Sequence, residues 1–370
     1  MPASDVQDET DIRFNKTIMS YSLQSIRRYG YGVIHRAWYS TKQRIPFEKK
    51  TCLMRFAVLG DAFVDVLAGG LSPTQGLPNW GADVECHHPI QPHPGGSALN
   101  TATHLSALSR EKSEFLVDLH TIVGDDFFGK VLRQHVDLHQ IALRSPCLPD
   151  LKTGVCIVLS NSSDRGFVTY YGAMRVFALR HVDRMRVLEA NHLHIGGYFS
   201  CPQLHAEIVP LLKSAKEKGI TISLDTNYDT SDEWDGGLIQ VLPFIDVFLP
   251  NEAEAKRISR GGTIQEAFTF FDRFVDGLIV IKMGNEGVRA RCSRSKRTWF
   301  QPTLEAQVQD VTGAGDSFNA GFLFQWKQNS EDVENALLWG SAVASRCVAE
   351  IGASTCRYAY DDIATLAALN

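Results

Sequence analysis

An α/β fold, with a central and mostly parallel sheet flanked by helices, follows from three observations on this 370-residue chain. From Arg55 onward, short apolar or β-branched runs alternate with longer helical patterns, as they do when buried parallel strands are joined by covering helices. The runs are short and the stretches between them long enough for crossover connections. Two segments that break this rhythm read as a second, smaller sheet.

The strands expected from these runs are Phe56–Leu59, His120–Val123, Leu193–Ile195, Thr221–Leu224, Val247–Leu249 and Leu278–Ile281. Pro202–Glu217, stopped by Gly219, and Glu331–Val348 read as helices, because a glycine just past a periodic stretch supplies the left-handed residue that ends a helix. The region from Phe63 to Pro94 is rich in Gly, Pro and Trp. Lys152–Ser160 and Gly166–Tyr171 read as strands joined by the polar turn Asn161–Arg165. Together, 63–94 and 152–171 are expected to form a small antiparallel lid over a cleft.

Bulk properties narrow the function. With 44% hydrophobic and 21% charged residues the chain can bury a large core, and no apolar run is long enough to cross a bilayer. A net charge of -5 gives no basic excess to draw the chain onto nucleic acid or an acidic membrane. The one basic run, Arg289 to Arg297, is expected to be a charged strand or hairpin edge, or a flank of a nucleotide site. Eight cysteines scattered without CxxC pairs fit reduced, packed thiols. Residues 1–53 form a separate extension. From Met19 to Lys50 basic residues outnumber Glu48 and are interleaved with Ser and Tyr, as in an organelle transit peptide, although the start carries Asp5, Asp8, Glu9 and Asp11. The expected location is cytoplasmic, or mitochondrial or plastid if residues 19–50 act as a targeting segment. Residues 54–370 form the folded domain.

The most informative segment is Asp310-Val-Thr-Gly313-Ala314-Gly315-Asp316-Ser-Phe, leading into a helical pattern. Glycines at a helix start let phosphate oxygens approach bare N–H groups, where the helix dipole favours negative charge. A carboxylate in that first turn is placed to accept a proton from an attacking hydroxyl; a helix-capping aspartate is the plainer alternative. Further upstream, Gly95-Gly96-Ser97-Ala98-Leu99-Asn100 sets paired glycines before a small-residue helix. Asp61 and Asp65 follow the first core strand, at the end of a parallel strand where open α/β sheets bind ligands. Pro250-Asn251-Glu-Ala-Glu254 offers an amide and a carboxylate three apart on one helix face, which suits either a hydrated Mg²⁺ or a capping pair.

In this order the segments resemble the two signatures of the PfkB, or ribokinase-like, carbohydrate kinases: Gly-Gly-x-x-x-Asn-x-Ala at Gly95–Ala102, and Asp-x-Thr-Gly-Ala-Gly-Asp-x-Phe at Asp310–Phe318. The resemblance spans roughly residues 54–358. It implies a ribokinase-like fold and ATP-dependent phosphorylation of a sugar hydroxyl. Carried over residue by residue, Asp316 is the catalytic base, and Gly313, Ala314 and Gly315 form the anion hole. Asp65, Gly95, Gly96 and Asn100 bind substrate. Asn251 and Glu254 hold Mg²⁺ through water, and Asp310 matches a monovalent-cation position, potassium in relatives that need it. Lys282, Gly284 and Gly287 in Lys-Met-Gly-Asn-Glu-Gly match a strand and turn beneath the nucleotide. The resemblance also implies a homodimer through the lid.

The chain departs from the pattern at two places. Asp229 stands where fructokinases and ketodeoxygluconate kinases carry the Arg of Asp-x-Asn-x-Arg, here Asp225-Thr226-Asn227-Tyr228. Losing that cation disfavours an acidic sugar. Ser97 replaces the Lys found in ribokinases. A nucleoside kinase, with Trp80, Tyr198 and Phe199 as a base platform, is the alternative within the family. A catalytically silent member that binds a sugar or partner for regulation is the alternative from another functional class. A dinucleotide-binding oxidoreductase is disfavoured by the missing Gly-x-Gly-x-x-Gly after the first strand.

Overall fold

The structure is a computed structural model, and it describes residues 53–71, 80–81, 83–110, 115–160, 165–355 and 357–369. The expected extension and its targeting segment lie outside these residues. In chain order the strands are β1 (Met54–Gly60), β2 (Phe63–Ala68), β3 (Gln91–Gly95), β4 (Phe115–His120), β5 (Val123–Gly124), β6 (Ala142–Arg144), β7 (Cys147–Leu148), β8 (Gly154–Ser160), β9 (Arg165–Tyr170), β10 (His192–Gly196), β11 (Thr221–Leu224), β12 (Val247–Phe248), β13 (Leu278–Lys282), β14 (Val288–Cys292) and β15 (Thr298–Gln301).

Nine of them form one sheet in the order β15-β14-β13-β12-β11-β10-β1-β4-β6. All pairings from β6 to β13 are parallel, and the β13–β14–β15 edge is antiparallel. Helices on both faces bury two cores. Ala57, Leu59, Leu193, Ile195, Ile222, Phe248 and Ile281 pack into one, and Phe56, Val58, Leu119, Leu249, Val280 and Phe322 into the other. Successive residues of a strand point to opposite faces, which is why adjacent sequence positions divide between the cores. Each buried Leu, Ile, Val or Phe among them contributes about 1.5–3 kcal/mol.

Two expected elements are placed differently. The strand expected at His120–Val123 runs instead over Phe115–His120, because Asp118 interrupts the apolar run and is made tolerable only by distant arginines. Asp118 is fully buried and is met by Arg55 at 2.6 Å, Arg144 at 3.0 Å and Arg186 at 3.0 Å. The helix expected over Pro202–Glu217 is two, Pro202–His205 and Ile208–Glu217. Pro210 has no N–H to donate to residue 206, so it is accommodated only in the first turn of a new helix.

The lid is a four-stranded sheet, β3-β2-β8-β9. Its β2–β3 and β8–β9 pairs are antiparallel, while its central β2–β8 pair is parallel. The basic run Arg289–Arg297 is the β14–β15 hairpin. Its charges pair with surface acids, Arg291 with Asp272 and Arg297 with Glu334, both at 3.0 Å. No described helix is long and apolar enough to cross a membrane, and Cys86, Cys156, Cys201, Cys292 and Cys347 are free thiols.

Candidate active site

The strands β1, β10, β11, β12 and β13 deliver Asp61, Gly197, Asp225, Asn251 and Lys282 to one mouth at their carboxyl ends. Connections leave β1 in both directions, toward β4 and toward β10, so the mouth lies where strand order reverses. Two helices point their first turns into it: Ser97–Ser109 and Ala314–Gln328.

Gly313 caps the second helix in a left-handed conformation with φ 76°, and a Cβ there would stand 2.5 Å from the Ala353 side chain. No other residue satisfies both constraints. Gly96 caps the first helix at φ 100°, and a Cβ would meet Ala62 at 2.8 Å. Gly95 is required by closeness alone, since a Cβ would fall 2.1 Å from the Asp65 carboxylate. The paired glycines therefore let the lid strand β2 press its aspartate against the start of the helix.

Asp316, in the first turn after Gly313, is clamped across the mouth. Ser97 Oγ donates to its Oδ1 and Asn100 Nδ2 to its Oδ2, both at 2.8 Å. The two signature segments, some 200 residues apart in sequence, thus meet at one carboxylate. Burial pushes Asp316 up to about 7, reinforced by the charge of Asp225 and opposed by Asn100, Lys282 and Ser97. Asp65 is raised to about 7 by burial and then by Asp61 and Asp310. Asp61, raised to about 6 chiefly by burial, accepts from Ala98 N at 3.0 Å and so braces the helix start.

Asn251 and Glu254 adopt a reciprocal cap. Asn251 Oδ1 accepts from Glu254 N at 2.9 Å, and Glu254 Oε2 accepts from Asn251 N at 2.9 Å and from Thr226 Oγ1 at 3.0 Å. Burial, then Asp225, pushes Glu254 up to about 7. Capping and metal handling are compatible here. Asp225, Glu254 and Asp316 face a single ammonium, Lys282, so the donor set fits Mg²⁺ arriving with phosphates and waters.

Lys282 lies beside the glycine loop with its ammonium already paired. Its Nζ donates to Asp225 Oδ2 at 2.5 Å and to Asn319 Oδ1 at 3.1 Å. Gly284 and Gly287 form the β13–β14 turn, in which Met283 N donates to Gly287 O at 2.8 Å. Asp310 closes the loop ahead of the anion hole, accepting from Thr312 N at 2.9 Å, Thr312 Oγ1 at 2.7 Å and Gly352 N at 3.0 Å. Sequence reading passed over Ser97 as a partner of Asp316, and Asn319 altogether. The signal for Asn319 was an amide three residues after Asp316, inside the apolar stretch Phe318–Phe324.

Two further expectations resolve. Asp229 spends its carboxylate on a turn, accepting from Ser231 N at 2.9 Å and Trp234 N at 2.7 Å. The three aromatics suggested as a base platform do not assemble one: Tyr198 and Phe199 are 1% and 8% exposed in the core, whereas Trp80 is fully exposed.

Residues 81–359 match the pfkB family carbohydrate kinase profile. This chain belongs to the pfkB family of carbohydrate kinases. Among curated pfkB relatives, the ATP-dependent ribose-1-phosphate kinase of Halopiger xanaduensis is 25% identical over 262 residues, covering 70% of this chain and 81% of that protein. The fructoselysine 6-kinase of Shigella flexneri is 28% identical over 268 residues, covering 70% and 91%. An Escherichia coli ribokinase II-type protein, solved with ATP and Mg²⁺, superposes with a TM-score of 0.72 at 21% identity, over 86% of this chain and 99% of that one. That likeness establishes the ribokinase fold for this pfkB kinase.

Proposed function

We propose that this kinase transfers the γ-phosphoryl group of ATP to a hydroxyl of a neutral sugar by direct in-line displacement, with Asp316 as general base. The observation that carries the reading is the seat of Asp316, clamped by Ser97 and Asn100 at the first turn of a glycine-capped helix. Its value of about 7 suits a base working near neutrality. The acceptor oxygen attacks the γ-phosphorus, the bond to the bridging oxygen of ADP breaks, and the proton passes to Asp316. Asp65, Gly95, Gly96 and Asn100 orient the hydroxyl. The amides around Gly313, Ala314 and Gly315 receive the phosphoryl oxygens, where a helix N-terminus favours negative charge. When bound, Mg²⁺ supplies neutralisation of the phosphate charge, and Asn251 and Glu254 are the residues that would hold it through water. Asp310 is the side chain a monovalent cation would use.

A neutral acceptor is favoured because Asp61, Asp65 and Asp310 border the sugar position, while the nearby cation, Lys282, is already paired. A sugar phosphate brought there would meet repulsion. The hairpin β8–β9 exposes Ile157, Phe167, Val168 and Tyr170, and pairing of two lids would cover it.

The test is ATP consumption with Mg²⁺ across ribose, fructose, other neutral sugars, fructoselysine, ketodeoxygluconate, ribose 1-phosphate and adenosine, beside Asp316→Asn. Turnover of a neutral sugar that collapses in the variant is expected. Preference for ribose 1-phosphate or adenosine would overturn the substrate class. Silence throughout, with ATP still bound, would favour the regulatory alternative.

A further inference from the structure

Lys282 ends β13 directly beneath the anion hole. Its side chain is 12% exposed and that of Asp225 is 6% exposed, so neither ion is solvated well enough to stand alone. Asn319 locks the pair: its carbonyl takes one Lys282 proton, and its Nδ2 donates to the same Asp225 oxygen at 2.5 Å. On its other side the lysine runs along the glycine loop. A Cβ at Gly315 would lie 3.3 Å from Nζ, 3.8 Å from Cε and 3.9 Å from Cδ. Gly315 has an ordinary helical backbone, and a side chain there would press lightly on the Lys282 ammonium.

The charged and titratable neighbours of Asp316 come from every element packed on it. Asp225 follows β11, Lys282 ends β13 and Cys347 ends the helix Val333–Cys347, while Glu254, on the helix Glu252–Ser259, interacts with the same Asp225 and Lys282. Behind Asp225 stand His194 of β10 and Asp61 after β1. Burial drives His194 down to about 4 and Cys347 up to about 12, so both are neutral at pH 7. Lys282 is therefore the cation set against this group of acids. The pairing is unequal: burial alone would raise Asp225, yet Lys282 and Asn319 outweigh it and hold Asp225 below the usual carboxylate range.

We propose that Lys282 is a positioning residue for phosphoryl transfer, whose ammonium, fixed by Asp225 and Asn319 under Gly315, keeps the Asp316 carboxylate in its proton-accepting form. Phosphate binding is left to the backbone of the loop. The proposal rests on the reading of Asp316 as the base. It assigns opposite signs to two members of one ion pair: Lys282 favours the ionised base, and Asp225 opposes it.

The test is a carboxyl-carbon NMR titration of the full chain labelled with ¹³C-aspartate, with the Asp316 resonance assigned by its loss in Asp316→Asn. This readout needs no sugar. In Lys282→Met the Asp316 midpoint should rise by about one pH unit, tenfold in proton affinity, and in Asp225→Asn it should fall by a similar amount. Lys282→Arg, which keeps the charge, should restore the wild-type midpoint. Midpoints that stay put, or move the same way in both variants, overturn the proposal. If Lys282→Met does not fold, Asp225→Asn decides alone, a downward shift supporting the proposal and an unmoved midpoint refuting it. Opposite shifts in a protein that phosphorylates none of the sugars would sink the proposed function and leave this inference standing.

Discussion

Asp118 and Asp316 are enclosed in the same α/β domain and are treated in opposite ways. Asp118, inside β4, is ringed by three arginines that lower its proton affinity against the pull of burial. Asp316, at the mouth, has its proton affinity raised by burial and then by the charge of Asp225, which together outweigh Lys282 and the two neutral hydrogen bonds from Asn100 and Ser97. A carboxylate that only has to hold a structure together is neutralised in place. One that is read as accepting a proton shares a single ammonium, Lys282, with Asp225 and is held by donors that fix its direction.

The largest expected effect breaks the mouth and spares the core. Asp316→Asn should cut kcat by about 10²–10⁴, the usual contribution of a general base, without loss of fold by circular dichroism. Asp118→Asn inverts the outcome. It should destabilise the protein by about 3–5 kcal/mol, because three arginines lose their charge partner, while the kcat of the folded fraction is unchanged. Denaturant melts and kinetics on the same preparations would separate the two, and a catalytic defect in folded Asp118→Asn would erase the contrast.

A smaller effect sharpens the contrast through pH. Asp316 and Glu254 titrate near 7 in the folded chain against 3.8 and 4.5 ordinarily. Native protein thus binds protons that the unfolded chain has released, and stability from these groups is present below about pH 4 and lost as pH rises through 7. Catalysis needs Asp316 ionised and should rise over the upper part of that window. At pH 8 Asp316→Asn is expected to be more stable than wild type, on the order of 2 kcal/mol. Asp118 has the opposite sign, with a lowered value whose stability is lost as pH falls through the acid range. Melting temperatures between pH 5 and 8 test the assignment.

Much of the mouth was legible in the sequence because its chemistry is local. The glycines announce a left-handed cap or a close approach within a few residues, and Asp316 sits three positions from Gly313. What was hidden depends on pairing across the chain. The strand around Asp118 was missed because the arginines that make its burial tolerable lie at 55, 144 and 186. Lys282 looked like a phosphate ligand because Asp225, 57 residues away, is its partner only after folding. Asn319 carried a faint helical signal and was passed over. A partner brought in by sheet order leaves no spacing to read.

The lid supplies the smallest effect, and it tests how far the contrast between core and mouth extends. Its inner strand is built like the core, with Val64 fully buried and Asp65 pressed on Gly95, whereas β8 and β9 leave Ile157 41% and Val168 60% exposed on one face. Ile157 and Val168 are directly opposite in the β8–β9 register, so changing both to Lys places like charges side by side on that face. If a second lid covers this surface, the double variant should be monomeric in sedimentation where wild type is dimeric, with thermal stability changed by less than about 1 kcal/mol. Sugar affinity should weaken only modestly, because Asp65 lies on the opposite face of the lid. A wild type that is already monomeric would overturn the paired-lid reading of this face, and the same two lysines should then leave both mass and KM unchanged.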